Sequence, residues 1–239
     1  DIELDSITFN SKGDEKEQTL SLHTKGDLQL NTEVFSTFDP DTEKLAAKIQ
    51  ALDLNSIIGP WVLQSPFDMT WDNKKKSGVI DTFCWQHKDG KLCLDDAAEL
   101  GSKGDMVVNF KGDIGSLLTP LLPESLSWQA PATLNTQLEW QPGSKPTGFL
   151  ELNFEPGHIS LNNNSRSLDI GYKLLNLQAR LDGKMLTTQV TFDSHDIASW
   201  EGKLDINVTP DRTISGYTKL HQINLAALAE FMPQLERLA

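Results

Sequence analysis

The chain has 239 residues, 38% of them hydrophobic and 23% charged, with a net charge of −13. That acidity excludes a nucleic-acid partner, because phosphate binding needs a basic stripe that is missing here, and it discourages tight docking onto anionic headgroups. No apolar run approaches the roughly eighteen residues of a membrane helix. No secretory signal opens the chain, and both ends break off inside patterned sequence, as expected of a piece of a longer protein.

Period-two alternation, the mark of half-buried strands, sets in early. In "TLSLHTKGDLQLNTEV", Leu20, Leu22, Leu28, Leu30 and Val34 alternate with polar residues, and Gly26-Asp27 marks a turn. "FDPDTEK" then clusters Asp39, Asp41 and Glu43 without the glycine or spacing of an EF-hand. A solvated turn is expected there, and again at Asp95, Asp96 and Glu99 in "LDDAAE".

Between these clusters lies "CWQHKDGKLC", residues 84–93, which holds the two cysteines of the chain. The spacing is wrong for a C-x-x-C redox pair. A zinc site would need more ligands than His87, since His23, His158, His195 and His221 are scattered singly. Lys88-Asp89-Gly90 is a turn signal, with Gly90 suited to positive φ. A loop from His87 to Gly90 sets Gln86 opposite Lys91, Trp85 opposite Leu92 and Cys84 opposite Cys93, within disulfide range. The even count and this register favour a bridge over two free thiols. Closing so short a ring stabilises by about 2–3 kcal/mol and pins one hairpin. A bridge places the chain in an oxidising compartment: periplasm, cell surface or secretory lumen.

Two segments break the rhythm. Both read as short amphipathic helices, about residues 113–122 and 224–236, with Asp113 and Asn224 as N-caps and Pro123 and Pro233 near their ends. Between them strands resume in "TLNTQLEW" (Leu134, Leu138), "FLELNF" (Leu150, Leu152, Phe154), "TTQVTFD" (Val190, Phe192) and "KLDINV" (Leu204, Ile206, Val208). Asp182-Gly183 and Pro210-Asp211 are hairpin turns. Roughly fifteen strands with short connections define an all-β antiparallel meander. The recurrence of a helix after many strands suggests two repeat units, 1–125 and 126–239.

Alternation gives each strand one apolar and one polar face. A closed β-sandwich is the commoner use of such faces; a curved sheet with an open groove is the other. No G-x-S-x-G, H-E-x-x-H or Gly-rich phosphate loop is present, so the chain is not expected to be an enzyme or to hold a metal or cofactor.

"GPWVLQSPFDMTWDN" (59–73), "IDTFCWQHKDGKLCLDD" (80–96) and "NLAALAEFMP" (224–233), in that order, make the chain similar to the central part of the TamB family. These are inner-membrane subunits of the translocation and assembly module of Gram-negative bacteria, related to AsmA-like and bridge-like lipid-transfer proteins. The resemblance implies a long antiparallel curved sheet folded as a β-taco with an open hydrophobic groove, a continuous periplasmic segment over 1–239. It implies passage of phospholipid from inner to outer membrane, with acyl chains as the transported ligand and TamA as a partner reached through other regions. The alternative is a scaffold that helps assemble outer-membrane β-barrel proteins and autotransporters by strand addition. The groove floor expected under this resemblance is Leu20, Leu22, Leu28, Leu30, Val34, Leu134, Leu138, Leu150, Leu152, Phe154, Val190, Phe192, Leu204, Ile206 and Val208.

Overall fold

The alternating segments form strands, twenty among the described residues against the roughly fifteen that sequence alternation alone brings out. The computed structural model describes residues 3–163, 166–194, 197–208 and 213–224. Two compact units emerge, Asp1–Phe110 with Gln137–Ser144, and Lys111–Thr136 with Lys145–Ala239.

The first unit opens with four long strands, β1 (Leu4–Gly13), β2 (Glu17–Gly26), β3 (Gln29–Asp39) and β4 (Lys44–Ser56), paired consecutively and antiparallel. Shorter strands follow: β5 (Gly59–Leu63), β6 (Phe67–Asp72), β7 (Ser77–Ile80), β8 (Phe83–His87), β9 (Gly90–Leu94), β10 (Ala98–Gly101) and β11 (Gly104–Asp113). These short strands account for much of the shortfall in the sequence count. They are too brief to show sustained alternation.

A register shift between Glu33 and Val34 organises this unit. Glu33 pairs with Ala51 but Val34 pairs with Ile49, so Gln50 is an extra residue in β4. A one-residue insertion switches the phase of the pleat. Leu45, Ala47 and Ile49 before it, and Leu52 and Leu54 after it, therefore point to one face. The sheet also forks here. The first half of β4 pairs with β6 and the second half with β5. One branch continues through β7 and β10, the other through β8 and β9. The two branches meet where Phe67 stacks on Phe83, with ring centroids 4.4 Å apart. Trp61, Leu63, Phe67, Leu94, Ala98 and Phe110 form a buried corner there.

In the second unit the helix expected over 113–122 is shorter. α1 spans Ile114–Leu118 and gives way to a single 3₁₀ turn, Thr119–Leu121. Pro120 has no backbone N–H to continue an α-helical ladder, which accounts for the early stop. Asp113 is the N-cap, as the sequence predicts: its Oδ1 accepts from Ser116 N and from Ala130 N, both at 3.0 Å. Gly115 lets the helix lie on β12 (Leu126–Gln129), for a Cβ there would sit 1.9 Å from the Trp128 carbonyl oxygen. The second expected helix, 224–236, and the Pro210-Asp211 turn lie outside the described residues.

β13 (Pro131–Trp140) leads into β14 (Thr147–Phe154), β15 (Gly157–Asn163), β16 (Arg166–Tyr172), β17 (Leu174–Asp182), β18 (Met185–Asp193), β19 (Ser199–Asn207) and β20 (Ile214–His221). β14, β17, β18, β19 and β20 form an antiparallel ladder in that order. Gly183, at φ 59°, turns β17 into β18 as the Asp-Gly signal predicts. β12, β15 and β16 form a separate small sheet. It packs through Trp128 on Phe154 and Tyr172 on Phe192, at centroid distances of 5.4 and 6.1 Å.

Candidate functional site

Directly opposed residues in an antiparallel pair share a face, so the registers trace rows of side chains across each sheet. In the first unit one row runs Leu20, Val34, Ile49, Phe67, and another Phe38, Leu45, Trp71, Gly78, Leu100. A third joins Leu30, Leu54 and Trp61. In the second unit Leu152 opposes Leu177, then Val190, then Gly202. Phe154, Leu175, Phe192, Trp200 and Leu220 form the row beside it. Each unit thus presents a mainly apolar face.

The expected groove residues divide cleanly by unit. Leu20, Leu22, Leu30 and Val34 share the apolar face of the first. Leu150, Leu152, Phe154, Val190, Phe192, Leu204 and Ile206 share that of the second. Leu134 and Leu138 are half-buried at alternate positions of β13. Leu28 sits in the turn before β3, its carbonyl accepting from Thr24 Oγ1 at 2.7 Å, and Val208 follows β19 and is exposed.

Further residues of the same kind lie on these faces without showing sustained alternation in the sequence. The β4 residues escaped because the Gln50 bulge breaks their period, and the β6–β8 aromatics because their strands are short. The phase change between Ile49 and Leu52 in "KLAAKIQALDLNS" was the legible signal.

The opposite faces are mostly polar, although Phe35, Phe149 and Tyr217 also lie on them. In the second unit Lys203 pairs with Asp205 at 2.9 Å, and Thr187 donates to the same carboxylate. Lys203 is the main reason the Asp205 carboxyl is held below its usual range, with Thr187 second. Lys219 bonds Glu201 at 3.0 Å, which raises the lysine's pKa. The acidic cluster at 39–43 is a turn, as expected. Asp39 accepts from Thr42 Oγ1, Asp41 N and Thr42 N, and its carboxyl is held low, chiefly by the threonine hydroxyl.

Cys84 and Cys93 stand directly opposite and are joined by a disulfide, with Cα atoms 4.1 Å apart. The register is the expected one but the loop is tighter. His87 pairs with Gly90, leaving Lys88-Asp89 as the loop, and Gly90 does not adopt positive φ. The loop is fastened instead by the Asp89 N–H, which donates to His87 Nδ1 at 3.1 Å. His87 is 2% exposed and packs on Trp61 at 5.3 Å. Gly59, at φ 97°, fits beneath it because a Cβ there would lie 2.6 Å from His87 Nε2. Asp95 lies near both sulfurs, but cysteines held in a disulfide offer no thiolate to a metal.

A family profile described as "TamB, N-terminal domain" matches residues 1–239. The chain belongs to that family. The profile's description names the N-terminal domain, where the sequence motifs resemble the family's central part. A similar protein is the "Translocation and assembly module subunit TamB" of Haemophilus influenzae. It is 22% identical over 229 residues, which make up 94% of this chain and 17% of that protein. The chain therefore spans about a sixth of the length of this curated relative. No solved structure matches. Among the described residues no helix is long and apolar enough to cross a membrane.

Proposed function

We propose that the chain is a segment of a periplasmic bridge that carries phospholipid from inner to outer membrane along its apolar faces, acting with TamA in the translocation and assembly module. The supporting observation is the alignment of apolar rows across successive strands. It supplies a surface on which burial of each acyl CH₂ contributes about 0.8 kcal/mol while headgroups stay at a polar rim. In this reading the chain works by binding alone, with no covalent step and no cofactor. The test is Leu152→Arg and Ile206→Asp in the second unit, followed by lipid photo-cross-linking and circular dichroism. Both variants are expected to keep their β-sheet signal and lose the cross-link. A folded variant that cross-links like wild type would overturn the reading.

A second reading, assembly of outer-membrane β-barrel proteins by strand addition, draws on one observation. β1 ladders with β2 and all ten of its residues are exposed, as in a sheet edge that could accept another strand. Here the same two substitutions leave substrate capture intact, and proline within β1 removes it.

A further inference from the structure

At one end of the first unit's apolar face lies a cavity of about 280 Å³. Its floor is Phe38, Leu45 and Trp71, the start of the row that runs on to Gly78 and Leu100. Its mouth holds Lys16, Gln18 and Asn73, with Glu15 beside them. The β1–β2 turn is fixed over this mouth, since Phe38 N donates to the Lys16 carbonyl at 2.8 Å. Asn73 is oriented by Trp71, whose Nε1 donates to its Oδ1 at 2.9 Å, so its amide NH₂ is left for another acceptor. Among the described residues Lys16 Nζ makes no hydrogen bond or ion pair, although the Asp14 carboxylate is near enough to feel its charge, and the Gln18 carboxamide makes no hydrogen bond.

Three sets of N–H donors, one of them cationic, thus stand where an apolar row ends. We infer that this cavity is a headgroup station for a glycerophospholipid: Lys16, Gln18 and Asn73 hold the phosphate, and the first methylenes lie on Phe38, Leu45 and Trp71. The volume is just below the range of ligand sites, which begins at about 300 Å³, and suits a headgroup with the start of its chains more than a whole lipid. Free phosphate would leave the aromatic floor uncovered, and Glu15 repels a dianion. The same carboxylate suits a headgroup that also carries an ammonium, as phosphatidylethanolamine does.

The inference rests on the lipid-bridge reading and can fail separately from it. Dihexanoyl phosphatidylethanolamine, dihexanoylglycerol and inorganic phosphate are titrated into the chain by calorimetry. The phospholipid should bind about five- to tenfold more tightly than the diacylglycerol, the scale of one charge-assisted hydrogen bond at a partly exposed site. Lys16→Gln should abolish that preference, and Lys25→Gln, at the far end of β2, should not. Equal binding of the two lipids, an equal loss in both variants, or inorganic phosphate binding as tightly as the lipid would each overturn the station while leaving the acyl-chain reading in place. If neither lipid binds, both fall.

Discussion

Two parts of the first unit share one apolar face and end in opposite states. At the fork, Trp61 is 8% and Ala98 1% exposed. On β1, Ile7 and Phe9 continue the same apolar face, opposite Thr24 and Leu22, yet each is 63% exposed. The difference is what lies above the face. The short strands β5–β9 branch from β4 and bring Phe83 over Phe67, whereas among the described residues nothing folds back over β1. A face is a property of one strand's pleat; burial needs a second layer.

Substitutions can sharpen that contrast. The largest effect belongs to the closed corner: Phe67→Ala should cost about 3–5 kcal/mol in denaturant unfolding, since it leaves a cavity in packed surroundings. A loss below about 1 kcal/mol would mean the corner is not a core. Breaking the hairpin staple comes next. Cys84→Ser with Cys93→Ser should cost about 2–3 kcal/mol through the freed unfolded chain, with the β8–β9 register kept. Protection from amide exchange at Trp85 and Leu92 reports whether the register survives.

On the open face, Phe9→Ser should change stability by no more than about 0.5 kcal/mol, as at ordinary surface sites. Destabilisation like that of Phe67→Ala would show that the face is covered. The smallest effect is electrostatic and sits in the β3–β4 turn. Because Thr42 and two backbone N–H groups lower the Asp39 pKa, its stabilisation is present above the ordinary carboxylate value of about 4 and is lost as pH falls through the lowered folded value. Asp39→Asn should be slightly less stable than wild type at neutral pH, and the two curves should converge in acid. Parallel curves down to acid would mean the turn does not hold the charge.

Much of this was written locally. Period-two alternation determined the all-β class and which side chains share a face, because the pleat has a period of two whatever surrounds it. Lys88-Asp89-Gly90 determined the cysteine register, because a hairpin's pairing is set by its turn. Asp113 determined where α1 starts, because an N-cap acts within one turn. Other features depended on contacts distant in sequence. Gln50 becomes a bulge only because β3 pairs across it, and that pairing makes Leu45 and Leu52 neighbours on one face. His87 reads as a lone polar residue in the chain, and it is packed away only because Gly59 and Trp61 arrive beside it from β5. The lysine at the β1–β2 turn gains its apolar floor from β3, β4 and β6. Tertiary structure decided these points, because burial and cavities are made by segments that meet in space and leave no local period to read.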